Sequence, residues 1–250
     1  MTATLSPDDN PPTLPAAGTL YGLPELAEAV ANAIRLEEKH RALIERLESA
    51  ILRQSQEAAD SARRAGFGKI DAQNAGTKMD VKVRNDVRKI SEDDRWTILR
   101  QLDALASGLS ASDSLWASPV VALARMGLGT DKRTNHMAQL SGAGPAELKT
   151  AAMLAAATLD RVLGASVASL LDRMPAKQRI ASPQELADRL IGDDVRQARA
   201  AIAAIKQAHQ RALNADREFA SGRRNATARI ASALAERDSA MNAGAAVEAE

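Results

Sequence analysis

Three histidines, a scatter of acids and no cysteine are the groups from which this chain would have to assemble a reactive site. His40, His136 and His209 stand far apart, and none belongs to a two-histidine motif at the helical spacing that grips a metal. The lack of cysteine removes thiolate nucleophiles, disulfides and cysteine-ligated metals. Gly66-Phe67-Gly68-Lys69 and Gly127-Leu128-Gly129-Thr130 invite comparison with phosphate loops. Neither has the spacing or the lysine-serine/threonine ending of such a loop, and neither follows a convincing strand, so helix termination explains both. Asp93-Asp94 and Asp193-Asp194 fall at expected helix starts or turns, where the helix dipole favours acids without any chemistry. No catalytic, cofactor-binding or metal-ligating residue is therefore assigned. The expectation is a chain that is not an enzyme and carries no cofactor.

One stretch points to a different activity. The first part of residues 182–205 resembles the opening helix and turn of a helix-turn-helix, with Leu186, Ala187, Leu190 and Gly192 in suggestive places. The glycine falls one position late relative to the alanine. Acidic Asp193-Asp194 occupy the turn, where they would repel phosphates. On that alternative reading the chain is a DNA-binding accessory or regulatory protein, and Arg196, Arg199, Arg223 and Arg224 are its contacts. A further cluster, Lys78, Lys82, Arg84, Arg88 and Lys89, is diluted by Asp80 and Asp86 and reads as a solvated face.

The elements that would position such residues are helices. Apolar residues make up 45% of the 250, but aromatics only 2%, so alanine and leucine must supply the core through close-packed helices. A formal net charge of +1 argues against a polyanion-binding surface covering the whole molecule. The N-terminus lacks the pattern of a standard secretory signal, and the most apolar stretch carries Asp160 and Arg161 near its middle, so no membrane insertion is expected. The chain reads as soluble and cytoplasmic, or incorporated into a virion or secretion assembly.

Taken in order, residues 1–22 hold Pro7, Pro11, Pro12 and Pro15 and read as a disordered arm. Residues 23–66 form a long amphipathic helix with a coiled-coil-like heptad. Leu26, Ala33 and Leu47 fall at one seam position and Val30, Ile44 and Ile51 at the other, with polar interruptions at Glu37, His40 and Gln54. The break after Ala65 is expected to extend through Thr77. A central helical bundle follows at 79–174. Within it Ser91 is expected to cap a helix carrying Trp96, Leu99 and Leu102, residues 107–118 form a loop with at most one turn, and 130–144 a surface loop.

Residues 145–174 form the most core-like helix, in which Gly164 could mark a close crossing. Ser182-Pro183-Gln184-Glu185 is a capping box that opens a long C-terminal helical segment at 182–241, with Gly192 and Ser221-Gly222 as candidate interruptions. Residues 242–250 form a flexible tail.

The expected fold is all-α: a central helical bundle flanked by two long, coiled-coil-like helices that pair with each other or with a second copy. The expected function is a self-associating helical scaffold or adaptor within a larger bacterial, phage or plasmid-encoded assembly. Leu26, Val30, Ile44, Leu47, Ile51, Ile202 and Ile205 are its candidate oligomerisation residues. Its expected partners are a second copy, other proteins of that assembly and, on the alternative reading, DNA.

Overall fold

A computed structural model describes residues 20–179 and 181–222, and the all-α expectation holds across them. Among the described residues there are nine α-helices and no strand: α1 (Leu23–Arg64), α2 (Lys69–Ile90), α3 (Glu92–Gly108), α4 (Ser110–Leu115), α5 (Pro119–Ala124), α6 (Asp131–Leu140), α7 (Pro145–Thr158), α8 (Arg161–Arg173) and α9 (Pro183–Ser221). A short 3-10 turn, Ala176–Gln178, precedes α9. Most of the expected arm at 1–22, the 223–241 end of the C-terminal segment and the tail at 242–250 lie outside the described residues.

The described helices form two compact units, residues 20–36 with 100–209 and residues 37–99 with 210–222. This division cuts across the expected boundaries, since α1, α3 and α9 each give residues to both units.

In the first unit, the expected helix over 145–174 is two helices. Leu159 adopts a left-handed conformation at φ 53°, and α7 ends there. Asp160 then caps α8, its Oδ1 accepting from the Val162 and Leu163 amides at 3.0 and 3.1 Å. Lys132 holds the same carboxylate at 2.8 Å. The charged pair near the middle of the apolar stretch is thus the start of a second helix. The apolar stripe hides the break because it continues across it. Helices α5, α6 and α7 all pack on α8, whose residues from Gly164 to Ala168 are all buried. A Cβ at Gly164 would meet the Cδ1 end of the Leu190 side chain, so α9 packs a leucine over the glycine that the sequence singled out.

Residues 131–140 are helical rather than a loop. Thr130 caps them, its Oγ1 accepting from the Arg133 amide at 3.4 Å. Its half-buried face is Arg133, His136, Met137 and Leu140, of which only two are apolar, too few to mark a helix in the sequence. Leu20, Tyr21 and Gly22 belong to the fold and not to a free arm. Ser112 Oγ accepts from the Tyr21 amide at 2.9 Å, and the Trp116 indole donates to the Tyr21 carbonyl at 3.0 Å.

The second unit is built on the hairpin of α1 and α2. Gly66, at φ 87°, turns the chain, and α2 starts at Lys69, earlier than the expected break at 66–77 allows. Gly76 therefore lies inside a helix, at a close crossing. The Ser55 hydroxyl donates to the Gly76 carbonyl at 3.0 Å, and a Cβ on Gly76 would sit 3.1 Å from the Ser55 carbonyl and 3.2 Å from Ala59 Cβ. Below this crossing Ile51, Val83 and Phe219 form an apolar layer, flanked by Ile44, Leu47, Met79 and Val87. Replacing Gly76 by leucine should cost about 1–3 kcal/mol through overpacking. Gly142→Leu, in open space, should stay within about 0.5 kcal/mol of the parent. Thermal melts followed by circular dichroism check both; equal melts for the two variants would remove the crossing as a constraint.

Candidate functional site

The densest set of ionisable groups lies in the second unit, where α1, α3 and α9 meet in a buried polar layer. Asp216 on α9 takes Arg95 of α3 at 2.5 Å, while His40 of α1 approaches the same oxygen at 3.5 Å. Arg95 also donates through Nε to Ser91 Oγ at 3.2 Å and through Nη2 to the Arg88 carbonyl at 3.1 Å. Its guanidinium lies 5.1 Å from the centre of the Phe219 ring, a cation–π contact. Nearby, Arg211 of α9 grips both oxygens of Glu37 of α1 at 2.8 and 2.7 Å.

Burial of this kind demands pairing, because an isolated charge removed from water is costly. Both acids have a guanidinium partner. Burial pushes the Asp216 carboxyl up, but the imidazole of His40 and the guanidinium and charge of Arg95 more than offset it, so its pKa falls below the ordinary carboxylate value. His40 is 1% exposed, and its Nε2 makes no hydrogen bond. It stands 3.5 Å from Asp216 Oδ1, at the limit of hydrogen-bonding range. Ser91 stands just before α3, as expected of its cap, and its carbonyl accepts from the Arg95 amide at 3.1 Å, while its hydroxyl accepts from Arg95 Nε. The layer ties α1, α3 and α9 together through paired charges.

The other two histidines are elsewhere. His209 lies 3.9 Å from Asp103 in the first unit, and His136 is half-buried on α6. Among the described residues, no group of three or more histidines or acids is placed to hold a metal ion. No helix of the described residues is long and apolar enough to cross a membrane.

The helix-turn-helix reading is corrected by α9. Residues 183–221 are one continuous helix, and Gly192 is buried within it, so no turn forms between 182 and 205. Glycine is tolerated inside a helix at a cost of about 1 kcal/mol. Here flanking residues on both sides carry the apolar stripe through it. Arg196 pairs with Asp193 on the same helix, and Arg199 is exposed one turn further on. Arg223 and Arg224 lie outside the described residues.

The expected oligomerisation residues are largely spent inside the chain. Leu26, Ile51, Ile202 and Ile205 are at most 2% exposed, and Val30, Ile44 and Leu47 are half-buried. Within the described residues these side chains pack in whole or in part against their own chain. The large apolar groups left at the surface are different ones. Leu128, Met153, Leu154 and Leu159 are exposed in the first unit, and Phe67, Ile70 and Ile90 in the second. Reading from sequence missed Arg95 and Asp216 altogether. Glu37 and His40 did stand out there, as polar interruptions of the seam.

Comparison with protein-family models, with curated proteins and with solved structures finds no match to this chain.

Because the Asp216 pKa is depressed in the folded state, its stabilisation is fully present above the unfolded value of about 3.9 and is lost as pH falls through the folded value. Asp216→Asn should cost about 3 kcal/mol at neutral pH, since it leaves Arg95 buried without its counter-charge. The gap should narrow as pH drops below about 4, where the carboxyl of the unfolded parent takes up a proton that the folded one still refuses. Urea unfolding from neutral pH down to pH about 3 measures this. A gap that stays constant across that range would detach Asp216 from the acid limb.

Proposed function

We propose that this chain is a non-enzymatic helical scaffold or adaptor that self-associates within a larger assembly. The observation that carries this reading is the set of large apolar side chains left on helix surfaces once both cores are built. On α7, Met153 is 65% exposed and Leu154 55%, and Leu159 just beyond is 66% exposed. Single exposed apolar groups are ordinary, but several close together mark surfaces that other molecules cover. The ionisable groups of the second unit support the same reading: buried Arg95 pairs with buried Asp216, and buried Glu37 with exposed Arg211, and both pairs tie helices together.

The primary partner on this reading is a second copy of the chain, with further helical proteins of the assembly beyond it. Sedimentation equilibrium on the full chain, from about 1 to 200 µM, tests it. The average mass should climb above the 26.5 kDa of one chain as concentration rises. A mass that stays at one chain throughout would remove self-association.

A further inference from the structure

We infer that the outward face of α7 is the self-association surface, and that it pairs with α7 of a second copy side by side and in the same direction. This rests on the self-association reading above and gives it a location. Helix α7 buries Leu148, Ala152 and Ala155 on one side. Its opposite side presents Ala146, Thr150, Met153 and Ala157, all exposed, at spacings of four, three and four residues. That is the spacing of a helix–helix seam. None of the four is charged, and the three alanine and threonine positions are small enough to let a second helix approach closely. Leu154 widens the strip on one edge.

The borders of the strip indicate what covers it. Lys149 lies along one edge and Glu147 along the other, both exposed. A two-fold axis parallel to the helix brings the Lys149 edge of one copy beside the Glu147 edge of the other. The two residues are offset by two positions, about 3 Å along the axis, within reach of a lysine side chain. Glu147 keeps one oxygen for this contact, since only Oε2 accepts from the Gly144 amide, at 2.8 Å. An antiparallel pairing would set lysine beside lysine and glutamate beside glutamate. A strip with one charge of each sign at its borders is matched by itself and poorly matched by a polyanion.

The turn beyond the strip adds to the same end. Leu159 takes a left-handed conformation that glycine or asparagine would hold at lower cost, yet it is exposed. Leu128, between the positive-φ glycines Gly127 and Gly129, is exposed on a neighbouring segment, as the Lys132–Asp160 pair and the approach of Gly127 to Val162 indicate. Parallel pairing gathers these leucines from both copies at one end. Antiparallel pairing would lay them over the polar start of the helix.

The test uses the full chain with Met153→Glu, and Ile90→Glu as a control at an 82% exposed apolar site in the second unit. Sedimentation equilibrium should give a dissociation constant at least about tenfold weaker for Met153→Glu and unchanged for Ile90→Glu. Lys149→Glu and Glu147→Lys should each weaken self-association, and mixing the two variants should restore a dimer containing one chain of each. If the parent associates and Met153→Glu matches it, this face is wrong while self-association stands. If the parent remains a single chain up to about 200 µM, the underlying reading fails and this inference with it.

Discussion

Close approach of helix backbones is the constraint on which both units depend. Of the five aromatic residues, only Trp116 and Phe219 are buried, so large rings supply little of either core. Alanine and leucine must then be brought near enough to exclude water, because a gap of even half an ångström forfeits much of the dispersion contact. The crossings are accordingly made where side chains vanish: Gly76 against Ser55 and Ala59 in one unit, Gly164 against Leu190 in the other. The end of the Leu190 side chain lies over Gly164, where no Cβ stands.

An apolar seam of small residues specifies register poorly, and the polar layer of the second unit supplies what the seam lacks. Asp216 can meet Arg95, and Glu37 can meet Arg211, at one relative height of the helices. A slip by one turn would leave charges buried and unpaired, which costs several kcal/mol. This accounts for polar residues in the heptad of α1 that would be unfavourable in an uninterrupted coiled coil. Glu37 and His40 face other helices of their own chain, and the seam they interrupt is internal.

With the seam used inside the fold, the large apolar side chains left uncovered lie elsewhere. The long helices spend their stripes on folding, while α7 buries Leu148, Ala152 and Ala155 on one side and leaves Met153 and Leu154 exposed on another. The left-handed Leu159 and the Asp160 cap end α7 just where its stripe would otherwise run on into α8.

The all-α class, the span of α1, the capping serine of α9 and the packing over Gly164 were each determined by local chemistry: periodicity, a side-chain oxygen at the first turn, a missing Cβ. The sequence by itself also marked Glu37 and His40 as anomalous. It could not reveal that Arg95 and Asp216 complete their layer, because residues 121 positions apart meet only through the tertiary fold. Helix α6 stayed hidden because the face it turns inward, Arg133, His136, Met137 and Leu140, is half polar and so carries no clear apolar period. The division of 145–174 stayed hidden because both halves continue one stripe. Whether Leu26, Ile51, Ile202 and Ile205 face a second copy or their own chain was likewise decided by tertiary packing alone. An apolar stripe states that a face must be covered, and only the arrangement of the other helices states by what.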